Sequence, residues 1–301
     1  MTPKIKNFLI RTITGVVLLG IIIPLLIIEG PWFMIVGIIA SILATYEMMN
    51  MFSKKSESLK ILKYIIPLFS GVIVYLAVLS TKNENFFWLL LALIIAIIIS
   101  MIIIIFIKQS KSFDFSNVLM ALIYSGLLFG FVIALKYIPS NTININNSSI
   151  IININGPWSF AYIYAVVIST DVMAYMFGSK FGKHKLCPTI SPKKSIEGAV
   201  SGGIFGSLIG AGALFLFGII NVANATKAEV VICILIAVLL SLVLSFIVQI
   251  GDLVASKFKR TYEIKDFSNI LPGHGGIIDR FDSLILSGSV FYFIIKVIMM
   301  L

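Results

Sequence analysis

Phe87-Trp-Leu-Leu-Leu-Ala-Leu-Ile-Ile-Ala-Ile-Ile-Ile-Ser-Met-Ile-Ile-Ile-Ile-Phe106 sits in a run that carries no charge between Asn85 and Lys108. A hydrocarbon core about 30 Å thick needs roughly 20 such residues as a helix. The run shows no period-two alternation, so it does not read as a barrel strand. In lipid every backbone N–H and C=O must be satisfied internally, which leaves the helix. The whole chain agrees with this one stretch. Of 301 residues, 59% are hydrophobic and only 12% charged, with mean hydropathy +1.08. Soluble domains carry about 25% charged residues, so this chain could not cover a water-facing surface. A soluble enzyme, a secreted disulfide scaffold and a nucleic-acid-binding domain are excluded.

Working outward, about nine apolar stretches are long enough to span: 13–29, 32–52, 62–80, 86–107, 116–137, 158–178, 200–222, 229–250 and 283–300. The predicted fold class is an all-α integral membrane protein, a polytopic helical bundle. The first stretch follows Lys4, Lys6 and Arg11 as a signal peptide would. It lacks a small-x-small cleavage site and runs into a second apolar segment, which predicts a retained helix. Most of the 23 Lys and Arg fall in alternate loops, beginning with the N-terminal one. The positive-inside bias then places the N-terminus in the cytoplasm and the protein in the inner membrane, multi-pass. Much of the net charge of +10 is therefore topology rather than a sign of an acidic partner.

The halves differ. Residues 1–138 read as five greasy spans, 139–157 as an extracytoplasmic loop without a cation, and 158–301 as a region broken by polar cytoplasmic loops at 179–198 and 251–282. No internal repeat stands out, which counts against an inverted-repeat transporter. Cys187 and Cys233 form no CxxC, and two histidines, His184 and His274, are too few for a histidine-based metal site.

Every aspartate but Asp114 lies between residues 171 and 282. Asp171 interrupts an apolar run, where insertion costs about 2.5–3.5 kcal/mol, so it must face a partner or a wet cavity. Asp171, Ala174, Tyr175 and Gly178 share one helical face. Asp252 is followed at i+4 and i+7 by Ser256 and Lys259, and Asp279 and Asp282 are neighbours on one helix face. Carboxylates gathered at helix ends repel unless a cation sits among them. Hard oxygen donors without a Cys or His cluster suit Mg²⁺; a salt-bridge network with nearby lysines is the alternative.

Between these acids lies Asn269-Ile-Leu-Pro-Gly-His-Gly-Gly276. Gly273, Gly275 and Gly276 allow close backbone approach, and their N–H groups could cradle a phosphate beside Lys259, Arg260, Lys265 and Arg280. His274 either contacts the phosphate or braces the turn. The earlier loop, Ser191-Pro-Lys-Lys-Ser195-Ile-Glu197-Gly198, offers a helix N-terminus beside Lys193 and Lys194, with Ser191 or Ser195 as the cap. Its plain reading is a positive-inside loop ahead of small-residue helix packing.

The stretch from Ser256 through Phe258-Lys259-Arg260, Lys265-Asp266, Ser268, Leu271-Pro272 and His274-Gly275-Gly276-Ile277 to Asp279-Arg280-Phe281-Asp282 resembles the signature of phosphatidate cytidylyltransferases. A second block resembles the same family: Asp171, Ala174-Tyr175, Gly178, Gly182-Lys183, then Ser191-Pro192-Lys193-Lys194-Ser195 and Glu197-Gly198. Ser195 departs from the commoner Thr but keeps a hydroxyl. The resemblance covers roughly 158–301.

The resemblance implies that CTP and phosphatidate give CDP-diacylglycerol and pyrophosphate. It implies Mg²⁺ at Asp252, Asp279 and Asp282, and leaves open whether Asp171, the further metal candidate, or Asp266 joins that shell, along with a second metal ion and a homodimer. It places Lys259, Lys265, Arg280 and His274 in the catalytic set, and Ser191, Lys193, Lys194, Ser195, Gly275 and Gly276 around CTP or the lipid headgroup. No nucleic-acid partner is expected. A phosphomonoester has its second pKa near about 6, so phosphatidate needs no general base. A CTP-dependent polyprenol-type lipid kinase and a transporter using Asp171 are the competing readings.

Overall fold

The computed structural model describes residues 17, 20–108, 110–145, 149–273 and 275–300. Among these residues, eight helices are long and apolar enough to cross a membrane. They are α1 (Trp32–Ser53), α2 (Leu59–Asn83), α3 (Phe87–Phe106), α4 (Ser112–Tyr137), α5 (Gly156–Phe181), α6 (Ile196–Leu216), α7 (Lys227–Thr261) and α8 (Ile278–Met300). The protein is a polytopic helical membrane protein. Of the span expected at 13–29, residues 13–16, 18 and 19 lie outside the described residues, and 20–27 are helical. The span expected at 229–250 runs eleven residues further, so that Asp252, Ser256 and Lys259 are all helical; α7 is 35 residues long. The chain packs as two compact units, Met1–Ala134 with Phe258–Phe281, and Leu135–Lys257 with Asp282–Leu301.

In the first unit, α3 buries a single stripe of Leu89, Ala96, Ser100 and Ile104 and leaves the rest of its apolar surface outward, as a lipid-facing helix does. The middle of α4, Leu122–Leu128, is π-helical. A π turn disturbs the regular ladder and needs side-chain donors in apolar surroundings. α1 supplies them: Ser41 Oγ donates to the Ser125 carbonyl (2.6 Å) and Thr45 Oγ1 to Ser125 Oγ (3.0 Å). The same stretch sets Tyr124 edge-on to Phe258, 6.0 Å between ring centres.

In the second unit, α5 and α6 meet along small residues. A Cβ on Gly202 would lie 2.9 Å from Ala174 Cβ and from the Thr170 carbonyl, and one on Gly210 would lie 2.8 Å from Val166. Gly206 faces Thr170 in the same row. This is close helix packing of the small-residue kind. α7 then adds a polar seam. Ser241 Oγ hydrogen-bonds Tyr162 Oη (2.9 Å), Ser245 Oγ bonds Thr170 Oγ1 (2.8 Å), and Gln249 Nε2 donates to the Ala199 carbonyl (3.2 Å).

The segment expected as a loop at 139–157 is largely a β-hairpin. β1 (Asn141–Ile145) pairs antiparallel with β2 (Ile150–Ile154), in register Asn141 to Ile154. β2 also pairs with a short strand, Ile220–Asn221, which ends α6 early: Gly218 takes φ +68° and the expected span 200–222 stops at Leu216. Asn155 caps α5, its Oδ1 accepting from Trp158 N (3.3 Å). A second hairpin pairs β3 (Lys185–Cys187) with β4 (Ser191–Ser195).

Candidate active site

In the second unit, α5, α6, α7 and the β3–β4 hairpin enclose a cavity of about 530 Å³. Its lining includes Asp171, Ala174, Tyr175 and Gly178 from α5, Lys193 and Lys194 from β4, Ser195, and Gln249 and Asp252 from α7. The helical face that begins at Asp171 therefore opens on the cavity, as the spacing predicts. Lys194 Nζ pairs with Asp252 Oδ2, and Ser256 Oγ donates to Asp252 Oδ1 (3.2 Å). Asp171 makes no hydrogen bond or ion pair among the described residues and presents its carboxylate to the cavity.

The cap of α6 is Ser195 rather than Ser191. Ser195 is extended, 5% exposed, and its Oγ accepts from Gly198 N (3.2 Å). Ser191 begins β4 opposite Cys187 and does not line the cavity. The hairpin is tied down by His184, whose Nδ1 lies 2.7 Å from Glu197 Oε1 and whose backbone N–H donates to the same carboxylate. Two lysines, two carboxylates and a capped helix start thus share one wet wall.

In the first unit, the loop between α7 and α8 is organised by two carboxylates. Asp279 Oδ1 accepts from Lys259 Nζ (2.7 Å), and its Oδ2 accepts from Phe267 N (2.9 Å) and Gly276 N (3.0 Å). Leu271 and Gly275 exchange backbone hydrogen bonds of 2.9 and 3.1 Å, with Gly275 at φ +87°. The N–H groups of Gly275 and Gly276 are thereby directed inward, onto Leu271 and Asp279. His274 lies outside the described residues.

Glu47 of α1 is the second carboxylate, and only 1% exposed. It accepts from Ser268 Oγ (2.5 Å), Ile277 N (2.9 Å) and Ile278 N (3.0 Å). Nothing in the reading of the motifs pointed to Glu47. The signal was there, since an acid inside the apolar run 32–52 carries the same insertion cost as Asp171. Lys265 and Asp266 line a separate open hollow of about 470 Å³ with Asn50, Lys54 and Asn269. Arg280 is exposed on the first turn of α8. Beside this loop, burial and the Asp114 carboxylate raise the Tyr262 phenol above its ordinary pKa, against the lowering effect of its hydrogen bond to Asn117 Oδ1 (3.1 Å).

Asp282 begins the second unit's part of α8, where Gly251 packs closely: a Cβ on Gly251 would lie 2.8 Å from the Asp282 carbonyl and 3.0 Å from Ser283 Cα. Asp282 Oδ1 accepts from Ser283 N (2.7 Å). Among the described residues, no three His, Cys, Asp or Glu side chains converge as a metal-holding group. A divalent ion still fits the cavity's donor set. Mg²⁺ keeps several waters and takes one or two carboxylates together with substrate phosphates, rather than an all-protein cage. Asp171 and Asp252 meet that description from the cavity wall, the Asp252 side chain being 29% exposed; Asp279, 3% exposed and held by Lys259 and two backbone N–H groups, does so less well.

A family model described as "Cytidylyltransferase family" matches residues 9–298. Two relatives named phosphatidate cytidylyltransferase come from Staphylococcus haemolyticus (strain JCSC1435) and Staphylococcus aureus (strain COL). They are 32% and 33% identical to this chain over 91% of its length and 94% of theirs. A relative of the same name from Bacillus subtilis (strain 168) is 34% identical over 64% of this chain and 62% of its own.

Proposed function

The chain belongs to the cytidylyltransferase family, and we propose that it is a phosphatidate cytidylyltransferase acting at the cytoplasmic face of the cell membrane. The observation that carries this reading is the cavity of the second unit, where Asp171, Asp252, Lys193 and Lys194 meet at the capped start of α6. An anionic nucleotide needs cations and a helix N-terminus, and a divalent ion needs carboxylates; the cavity offers both kinds of group. A phosphate oxygen of phosphatidate attacks the α-phosphorus of CTP. The bond from that phosphorus to the β-phosphate bridge breaks, and pyrophosphate leaves with its electron pair.

Asp171 and Asp252 would hold Mg²⁺, which supplies charge neutralisation along the CTP phosphates when bound. Lys193 and Lys194 orient the triphosphate from β4. Lys265 and Arg280 are further proposed phosphate contacts, and Asp279 acts through Lys259 rather than on the metal. The acyl chains stay in the bilayer, which suits a catalyst built almost wholly of membrane-spanning helices around a polar cavity.

Purified protein given phosphatidate, Mg²⁺ and CTP labelled at either the α or the γ position tests the proposal. Lipid labelled only from the α position, with one pyrophosphate released per turnover, is expected. Lipid labelled from the γ position would make the protein a lipid kinase, and no turnover would end the proposal.

A further inference from the structure

We infer that Glu47 is a positioning residue for this reaction, the anchor through which the N-terminal helices fix the start of α8 and the glycine-rich loop before it. The inference rests on the CTP-dependent reading above.

Glu47 lies within a membrane-spanning helix and is 1% exposed, yet it makes no ion pair among the described residues. Its three partners all belong to one short stretch: the Ser268 hydroxyl and the N–H groups of Ile277 and Ile278. Those two N–H groups belong to the start of α8 and have no partner within the helix itself. A carboxylate placed there satisfies both and is further favoured by the positive end of the helix dipole.

The fit is mutual. A Cβ on Gly276 would come within 2.6 and 2.7 Å of the two Glu47 oxygens. Gly276 carries no positive φ, so the carboxylate, not the backbone conformation, requires glycine at this point. The next acid along, Asp279, takes the Gly276 N–H and holds Lys259. Glu47 therefore sets the position of Gly276, and through it that of Asp279, Lys259 and Arg280. A chain of contacts so short transmits a shift of one end to the other, and a displacement of about 1 Å at a reacting centre can cost on the order of a hundredfold.

The test compares Glu47→Gln, Glu47→Asp, Gly276→Ala and the double variant Glu47→Asp/Gly276→Ala with wild type in the intact protein. Each is measured for thermal unfolding in detergent, for kcat and for KM toward CTP and phosphatidate separately. Glu47→Gln keeps the size and shape of the side chain, and it should fold while kcat/KM for CTP falls about tenfold or more. KM for phosphatidate should stay within about twofold, because the anchored loop carries the cations proposed for nucleotide phosphates. Gly276→Ala should lose activity, and shortening Glu47 to Asp should restore part of it by making room for the methyl group.

Hydrogen exchange of the 267–280 segment without nucleotide should quicken in Glu47→Gln. Wild-type kcat/KM in Glu47→Gln, or strictly additive effects in the double variant, would overturn the anchor. Equal rises in KM for both substrates would reduce Glu47 to a folding residue and overturn it as well. Failure of the wild-type protein to use CTP would count against the functional reading instead, and the exchange measurement would still decide whether Glu47 holds the loop.

Discussion

Lys259 Nζ stands 2.7 Å from Asp279 Oδ1, joining the last turn of α7 to the first turn of α8. The two side chains are 14% and 3% exposed, so the pair is largely withdrawn from water. Breaking such a pair leaves one uncompensated charge, which costs about 3–5 kcal/mol, whereas replacing both partners with neutral groups costs far less. Asp279→Asn and Lys259→Met should each lower the unfolding temperature and abolish turnover. The double variant should regain stability but not activity. Thermal unfolding of the three proteins checks this, and equal stability in all of them would remove the brace.

Lys194 pairs with Asp252 beside the unpaired carboxylate of Asp171. A lysine there competes with a divalent ion for the same oxygens while assisting a nucleotide phosphate. Lys194→Ala should therefore lower the Mg²⁺ concentration needed for half-maximal turnover and raise KM for CTP. Asp252→Asn should move the metal requirement the other way, by about tenfold or more if a direct ligand is lost. Metal titrations of the two variants that moved together would count against the cavity as the metal position.

Gly202 and Gly212 lie on the same helix, yet their surroundings differ. A methyl group on Gly202 would collide with α5, whereas Gly212 has nothing within 4 Å of its added Cβ. Gly202→Ala should destabilise the protein by about 1–3 kcal/mol through overpacking, and Gly212→Ala should be neutral or slightly stabilising. Unfolding in detergent separates them.

Ser195 accepts from Gly198 N at the start of α6. Ser195→Ala should cost about 1 kcal/mol of stability through loss of the cap. It should also weaken CTP binding if the helix start receives phosphate, as a rise in KM would register.

Some of this was legible in the chain itself. Runs such as 86–107 had the length and uniform apolarity that only a membrane-spanning helix satisfies, and α3 lies within that window. Asp171, Ala174, Tyr175 and Gly178 line one cavity because helical spacing is rigid over two turns. Ser256 reaches Asp252 for the same reason. Loops were harder to read. The alternation in Thr142-Ile143-Asn144-Ile145 is a strand pattern, but polar content alone had assigned it to a loop. The inward N–H groups of Gly275 and Gly276 depend on Asp279 and Leu271, and glycine spacing cannot reveal which acceptor wins. Glu47 meets residues more than two hundred positions away, a pairing that local pattern does not encode.

The seam along α7 has a consequence for angular phase. Ser241, Ser245 and Gln249 recur at intervals slightly longer than a helical turn, so each step drifts by about 40° around the axis. The shorter step from Gln249 to Asp252 swings back, leaving the carboxylate within about 20° of the direction of Ser241. The hydrogen bonds to Tyr162, Thr170 and Ala199 thus act as a dial stop for the whole helix. One residue inserted after Gln249 would turn Asp252 by about 100°, away from the cavity, without altering a single side chain there.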